Sequence, residues 1–193
     1  MQRASDSVPS GMLSVIGQAK SDYRQACLEA CEHSNSVGIQ NPVCQVASYL
    51  FPDGRVIAGH MQALEYLQEN SRKFYFRRTK ILPVSGAFHT SLMEPATQDL
   101  ADVLKKMNIE KPSVAVYSNV EAATYAHDKQ IRKLLSKQLI SPVKWEQTMH
   151  ALFERRKGIE FPRTYEVGPG RQLGVMLKNC NLKAWQSYTP VAV

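Results

Sequence analysis

Val43-Cys44-Gln45-Val46-Ala47-Ser48-Tyr49 runs into Pro52-Asp53-Gly54, and then into Arg55-Val56-Ile57-Ala58-Gly59. Two β-rich runs around a Pro-Asp-Gly turn predict a hairpin. Its flanks decide the fold. Upstream, Met12-Leu13-Ser14-Val15-Ile16-Gly17 reads as a strand. Ser21-Asp22 then caps a helix whose Tyr23, Ala26, Cys27, Ala30 and Cys31 repeat at helical spacing and form one buried face. Downstream, a helix from about Met61 to Arg72 packs through Leu64 and Leu67, and Thr79-Lys80-Ile81-Leu82 is a further strand. The order is βαββαβ, a ferredoxin-like unit expected over 11–82 after a lead-in segment 1–10.

From 83 to 193 the period changes. Leu92 to Met107 reads as one helix with Met93, Ala96, Leu100, Val103, Leu104 and Met107 on a face and Pro95 in its first turn. Val114-Ala115-Val116-Tyr117 reads as a short strand ending in Ser118-Asn119. Ile131, Leu134, Leu135 and Leu139 stripe a helix that Pro142 interrupts, and Trp145, Met149, Leu152 and Phe153 resume it. Thr164-Tyr165-Glu166-Val167 is a strand before a helix from Gln172 to Lys178. Strands separated by helices make the fold class α/β with a parallel sheet. About three core strands are visible, too few for a well-covered sheet. Strands outside this chain are therefore expected to complete it. Residues from about Leu82 onward are expected to be poorly stable alone, whereas 11–82 should fold.

The 193 residues are 44% hydrophobic, enough for a core and too many for disorder. No apolar run approaches a membrane span, and Met1 to Asp6 has no secretory h-region. Net charge is +7, with basic clusters at Arg72-Lys73, Arg77-Arg78-x-Lys80, Lys105-Lys106, Arg132-Lys133 and Arg155-Arg156-Lys157. This balance suits phosphates, nucleic acid, coenzyme A or an acidic carrier protein, or simply solvated helix faces. The four cysteines have no CxxC spacing and read as reduced core residues, with no metal site.

His89 follows Leu82-Pro83-Val84-Ser85-Gly86-Ala87-Phe88 and reads as an imidazole delivered to a strand end, where acyl-transfer chemistry would put its base. His33, His60, His127 and His150 read as structural. Gln138 lies four residues before Pro142, which has no N–H to offer its carbonyl. That carbonyl is free to accept an imidazole Nδ1 proton, or simply marks a helix break. Gly168-Pro169-Gly170 before a helix is a weak anion-cradle signal. No Gly-x-Ser-x-Gly elbow occurs, so Ser85, Ser118 and Cys44 are poor nucleophile candidates and half of an active site is expected to lie elsewhere.

Pro83-Val84-Ser85-Gly86-Ala87-Phe88-His89-Thr90-Ser91-Leu92-Met93, Tyr117-Ser118-Asn119-Val120, Gln138-Leu139-Ile140-Ser141-Pro142-Val143-Lys144-Trp145 and Glu166-Val167-Gly168-Pro169-Gly170 together resemble the malonyl-CoA:acyl-carrier-protein transacylases, especially their animal mitochondrial members. The resemblance runs through the chain in order and implies the C-terminal part of such an enzyme, with an α/β-hydrolase-like acyltransferase core. It implies that His89 is the base of a Ser-His ping-pong mechanism and that the Gln138 carbonyl orients it. The serine, a carboxylate-clamping arginine and the oxyanion segment would lie before Met1, leaving this chain inactive alone. Ser48, where bacterial relatives carry asparagine, and Phe88 are implied to line the substrate side. Arg72, Arg77 and Arg78 are expected to meet carrier protein or coenzyme A. Malonyl-CoA and acyl carrier protein are the implied substrates. No cofactor, no metal and no membrane are implied, with a mitochondrial location and a monomeric state. The alternative is a non-catalytic module binding a carrier protein or RNA through Tyr49 and Phe51. An RNP1-like run is missing, so RNA is disfavoured. A self-contained thioesterase using Ser85 or Ser118 with His89 ranks last.

Overall fold

A computed structural model describes residues 1–156 and 158–193, so Lys157 of the Arg155-Arg156-Lys157 cluster lies outside the described residues. The chain opens with α1 (Gln2–Ser5), β1 (Ser10–Ile16), α2 (Tyr23–Ser36), β2 (Cys44–Phe51), β3 (Gly54–His60), α3 (Met61–Glu69) and β4 (Arg78–Ile81). Asp22 caps α2 by accepting the Gln25 N–H at 2.9 Å. The sheet order is β4-β1-β3-β2, with β1 antiparallel to both neighbours, as a ferredoxin-like unit requires.

Side chains alternate across β1, and both faces are used. Leu13 and Val15 join Ile57, Ala26, Ala30, Leu64 and Leu67 beneath the two helices. Leu13, Ile57, Leu64 and Leu67 are completely buried, each contributing about 1.5–3 kcal/mol of apolar transfer. Met12, Ala47, Val56 and Ala58 face the other way and pack against Ala87, Phe88 and Leu92. A register shift between Val46 and Ser48 aligns Ser48 with Val56, so Ser48 shares this second face.

The remaining elements are α4 (Thr97–Lys106), α5 (Asp128–Lys137), β5 (Val143–Lys144), α6 (Trp145–Phe153), β6 (Thr164–Val167), α7 (Gln172–Cys180), α8 (Leu182–Trp185) and β7 (Tyr188–Val191). β5 adds to β2 in parallel, making a five-stranded sheet, and β6 and β7 form a parallel pair. No described helix is long and apolar enough to cross a membrane.

Several expectations need correction. The helix over 92–107 is two pieces, a 3₁₀ segment Ser91–Ala96 and then α4, because Pro95 denies the first turn an N–H. Val103 and Met107 of its stripe are more than half exposed. Val114 to Tyr117 forms no strand. It makes one bridge, Tyr117 to Thr124, because no neighbouring strand offers a ladder, and Val114 is 71% exposed. The helix expected to reach Arg72 ends at Glu69. β5, β7 and the short helices α1 and α8 were not foreseen. β5 follows Pro142 and β7 contains Pro190, both of which argue against a strand locally.

Candidate functional site

His89 does not sit on a strand end. Its turn lies beyond β4, and its backbone is left-handed, with φ of 64°. That conformation is costly for a residue with a Cβ and persists only where surroundings fix it. Three contacts fix it here. The His89 N–H donates to the Leu139 carbonyl at 3.0 Å, and its own carbonyl accepts Gln45 Nε2 at 3.4 Å. Its Nδ1 lies 2.8 Å from the Gln138 carbonyl, 49 residues away. A carbonyl only accepts, so Nδ1 carries the proton and Nε2 is left with a lone pair.

The turn itself is seated by close packing. A Cβ on Gly86 would lie 2.4 Å from Ser5 Oγ and 2.7 Å from its Cβ, so only glycine lets α1 approach there. Thr90 is fully buried. Its hydroxyl donates to the Ala87 carbonyl at 2.7 Å and accepts the Leu92 N–H at 3.2 Å. Phe88 packs on the sheet face of Met12 and Ala47, the face that Ser48 shares.

Gln138 begins a single 3₁₀ turn, Gln138–Ile140, after α5. Its side-chain Oε1 accepts Asn119 Nδ2 at 3.3 Å, and the Asn119 carbonyl accepts the Lys144 N–H at 2.8 Å. The site therefore joins four segments: the 86–90 turn, β2, the 117–124 loop and the turn before Pro142. Gln45 and Asn119 were missed from sequence. The available signal was parity. Gln45 shares a strand face with Ala47, and a polar residue there needs a partner.

The other candidates separate. Ser118 is 1% exposed, and its Oγ accepts the Val120 N–H at 3.1 Å, a structural role. Ser85 is exposed and Cys44 is buried. Contact with the Cys27 thiol, and burial, push the Cys44 thiol well above its ordinary value, the opposite of an activated nucleophile. Among the described residues the hydrogen-bond partner of the His89 ring is the Gln138 carbonyl, and no serine meets it. The four other histidines have local partners. His60 accepts the Val43 N–H, His127 caps α5, His33 stacks on Tyr66, and His150 lies 3.9 Å from Glu146. No group of three His, Cys, Asp or Glu able to hold a metal occurs among the described residues.

The three arginines also divide. Arg77 donates through Nε to the Gly17 carbonyl at 2.9 Å and lies 3.3 Å from Asp53. Arg72 occupies an exposed turn ahead of Phe74. Arg78 pairs with Ile16 and Lys80 with Ser14, which puts both on the sheet face of Met12 and Phe88. They line a cleft of about 180 Å³. The Gly168-Pro169-Gly170 turn serves an internal anion. The Glu166 carboxylate accepts the Leu173 and Gly174 N–H groups at 3.0 and 2.8 Å at the start of α7, and the Tyr188 hydroxyl at 2.5 Å. That hydroxyl first, and the amides with it, hold Glu166 below the usual carboxylate range.

Comparison with known proteins adds the following. No family model matches the chain. It is 64% identical, over all 193 residues, to the human mitochondrial malonyl-CoA-acyl carrier protein transacylase, covering 50% of that protein. It superposes on the Coxiella burnetii malonyl CoA-acyl carrier protein transacylase with a TM-score of 0.81 at 26% identity, over 98% of this chain and 56% of that one. A malonyl-transacylase solved in complex with its type II PKS acyl-carrier protein matches at TM-score 0.78 and 26% identity, over 100% of this chain and 57% of that one. The chain thus spans about half the length of the curated relatives it matches.

Proposed function

We propose that the chain is part of a malonyl-CoA:acyl carrier protein transacylase and supplies the base half of its active site, a reading supported by 64% identity to the human enzyme over the span the two share. His89 is the general base. With Nδ1–H held by the Gln138 carbonyl, Nε2 takes the proton of a serine hydroxyl contributed from outside this chain. The serine oxygen attacks the malonyl thioester, the carbonyl oxygen becomes an oxyanion, and the thiolate of coenzyme A leaves with the proton from His89. The phosphopantetheine thiol of acyl carrier protein then attacks the malonyl ester, with His89 as base again, and the serine is released. Backbone N–H donors at the oxyanion are usually the largest single contribution to the rate in such chemistry.

Phe88 and Ser48 line the acyl side on the shared sheet face. Arg78, with Lys80 beside it, is the better placed of the basic residues for coenzyme A phosphates or an acidic carrier protein. Arg77 is engaged by Asp53, and Arg72 is exposed but set apart. We assign residues 11–82 to a small subdomain and 83–193 to the core, with no metal or cofactor, a monomeric state and a mitochondrial location like that of the named relatives.

The contact between His89 Nδ1 and the Gln138 carbonyl carries this reading, because it fixes the tautomer a base needs. The test is a chimera in which this chain replaces the corresponding half of the human relative. Incubated with malonyl-CoA, the chimera should gain one malonyl by intact mass and pass it to holo acyl carrier protein. This chain alone should gain none. His89→Ala should slow acylation by about 10²–10⁴-fold, the range for a general base. A malonyl adduct on the isolated chain, or full activity without His89, would overturn the assignment.

A further inference from the structure

We propose that Asn119 is a positioning residue for His89, acting through the side chain of Gln138. It rests on the reading of His89 as the base. The Gln138 carbonyl holds the imidazole, yet it sits on a single 3₁₀ turn whose hydrogen-bond geometry is poor and which Pro142 cuts off. Such a turn does not by itself fix the direction of its first carbonyl. The Asn119 Nδ2 to Gln138 Oε1 bond, at 3.3 Å, supplies an external tether.

Asn119 is suited to this because its own loop is tied on every side. The Ser118 N–H donates to Ala123 and the Ala122 N–H to Ser118, each at 2.9 Å. The Ser118 hydroxyl accepts the Val120 N–H, and Tyr117 bridges Thr124. Ser118 and Val120, on either side, are 1% and 5% exposed. The Asn119 carbonyl meanwhile accepts the Lys144 N–H, just past Pro142. One residue thus pins both the start of the Gln138 turn and the chain that follows it. Gln45 separately holds the His89 carbonyl, so side-chain amides act on its backbone directly and on its ring through Gln138.

The experiment reads the His89 tautomer by long-range ¹H–¹⁵N NMR, and kcat and KM, all in the chimera. The variants are Asn119→Ala, Gln138→Ala, both together, and Asn119→Asp. Gln138→Ala keeps the backbone carbonyl and removes only the tether. Each single variant is expected to lower the Nδ1–H share and to cut kcat about tenfold, since small displacements of a catalytic group are costly. KM should move by less than about twofold, because ground-state binding is untouched. The double variant should be no worse than the worse single, the mark of one shared bond. Asn119→Asp should restore most of both, with the Gln138 amide turned to donate. An unchanged tautomer in Asn119→Ala and Gln138→Ala would overturn the proposal, as would multiplicative losses in the double variant. An inactive chimera would sink the transacylase reading while the tautomer measurement still decides this one.

Discussion

The five-stranded sheet and the β6–β7 pair both carry helices against them, yet they are finished to different degrees. In the first, Leu13, Ile57, Leu64 and Leu67 have no exposure, and the second sheet face is covered by the Ala87–Leu92 turn. In the second, Met149, Phe153, Leu177 and Ala184 make a small core, but Tyr165 and Val167 of β6 are 56% and 71% exposed. Leu173 and Val175 of α7 are likewise bare. A parallel sheet normally has both faces covered. The two-stranded pair, with an apolar outer face, is the signature of a sheet designed for more strands. Stability should therefore be concentrated in the first region, while half of the chemistry hangs on its border.

The largest expected effect comes from the bond that joins the regions. Arg55 in β3 lies 3.0 Å from Glu146 in α6, with side chains 14% and 12% exposed. Arg55 also stacks over Tyr49, 5.0 Å from the ring centroid, and donates to the Gly54 carbonyl. Arg55→Met leaves a buried carboxylate without its partner and should cost about 3–5 kcal/mol, read as a lowered denaturant midpoint. A cost near zero would mean that the regions do not depend on each other.

Leu64→Ala should cost about 2–5 kcal/mol by creating a cavity beneath α3, whereas Val175→Thr on the bare face of α7 should stay within about 0.5 kcal/mol. Equal costs from the two would break the contrast between a finished and an unfinished core. A smaller and more local effect is the acid response. Glu166 has its pKa lowered in the fold by Tyr188 and the α7 amides. Its contribution is therefore fully present above the unfolded value of about 4.3 and lost as pH falls through the lower folded value. Tyr188 is raised by the same bond, so its share is lost only as pH climbs past 10.0. Amide exchange at Leu173 and Gly174 should accelerate below pH 4 relative to β1 and β3, and Glu166→Gln should abolish that pH step. Uniform acid loosening across both regions would count against it.

The sequence was most readable where structure is local. The hairpin, the Asp22 cap and the α2 and α3 stripes lie close to where their periodicity puts them. Reading failed where pairing is remote. Val114 to Val116 has the composition of a strand but no ladder to join, and β7 carries Pro190 yet pairs with β6 because only some of its N–H groups are needed. At the site, Pro142 made a free Gln138 carbonyl legible in advance, since a missing N–H is a covalent fact. Gln45 and Asn119 were not legible, because nothing local distinguishes an amide that tethers an active residue from one that faces water.

By itself the sequence determined the βαββαβ order, the apolar faces of its helices and the break at Pro142. Each follows from backbone chemistry within a few residues. Only the tertiary structure decided that His89 is held in a left-handed turn against a carbonyl 49 residues away, and that Arg78 rather than Arg77 shares the face of Phe88. Those outcomes depend on sheet register and on the packing of separate segments, where one residue of slip moves a side chain to the other face.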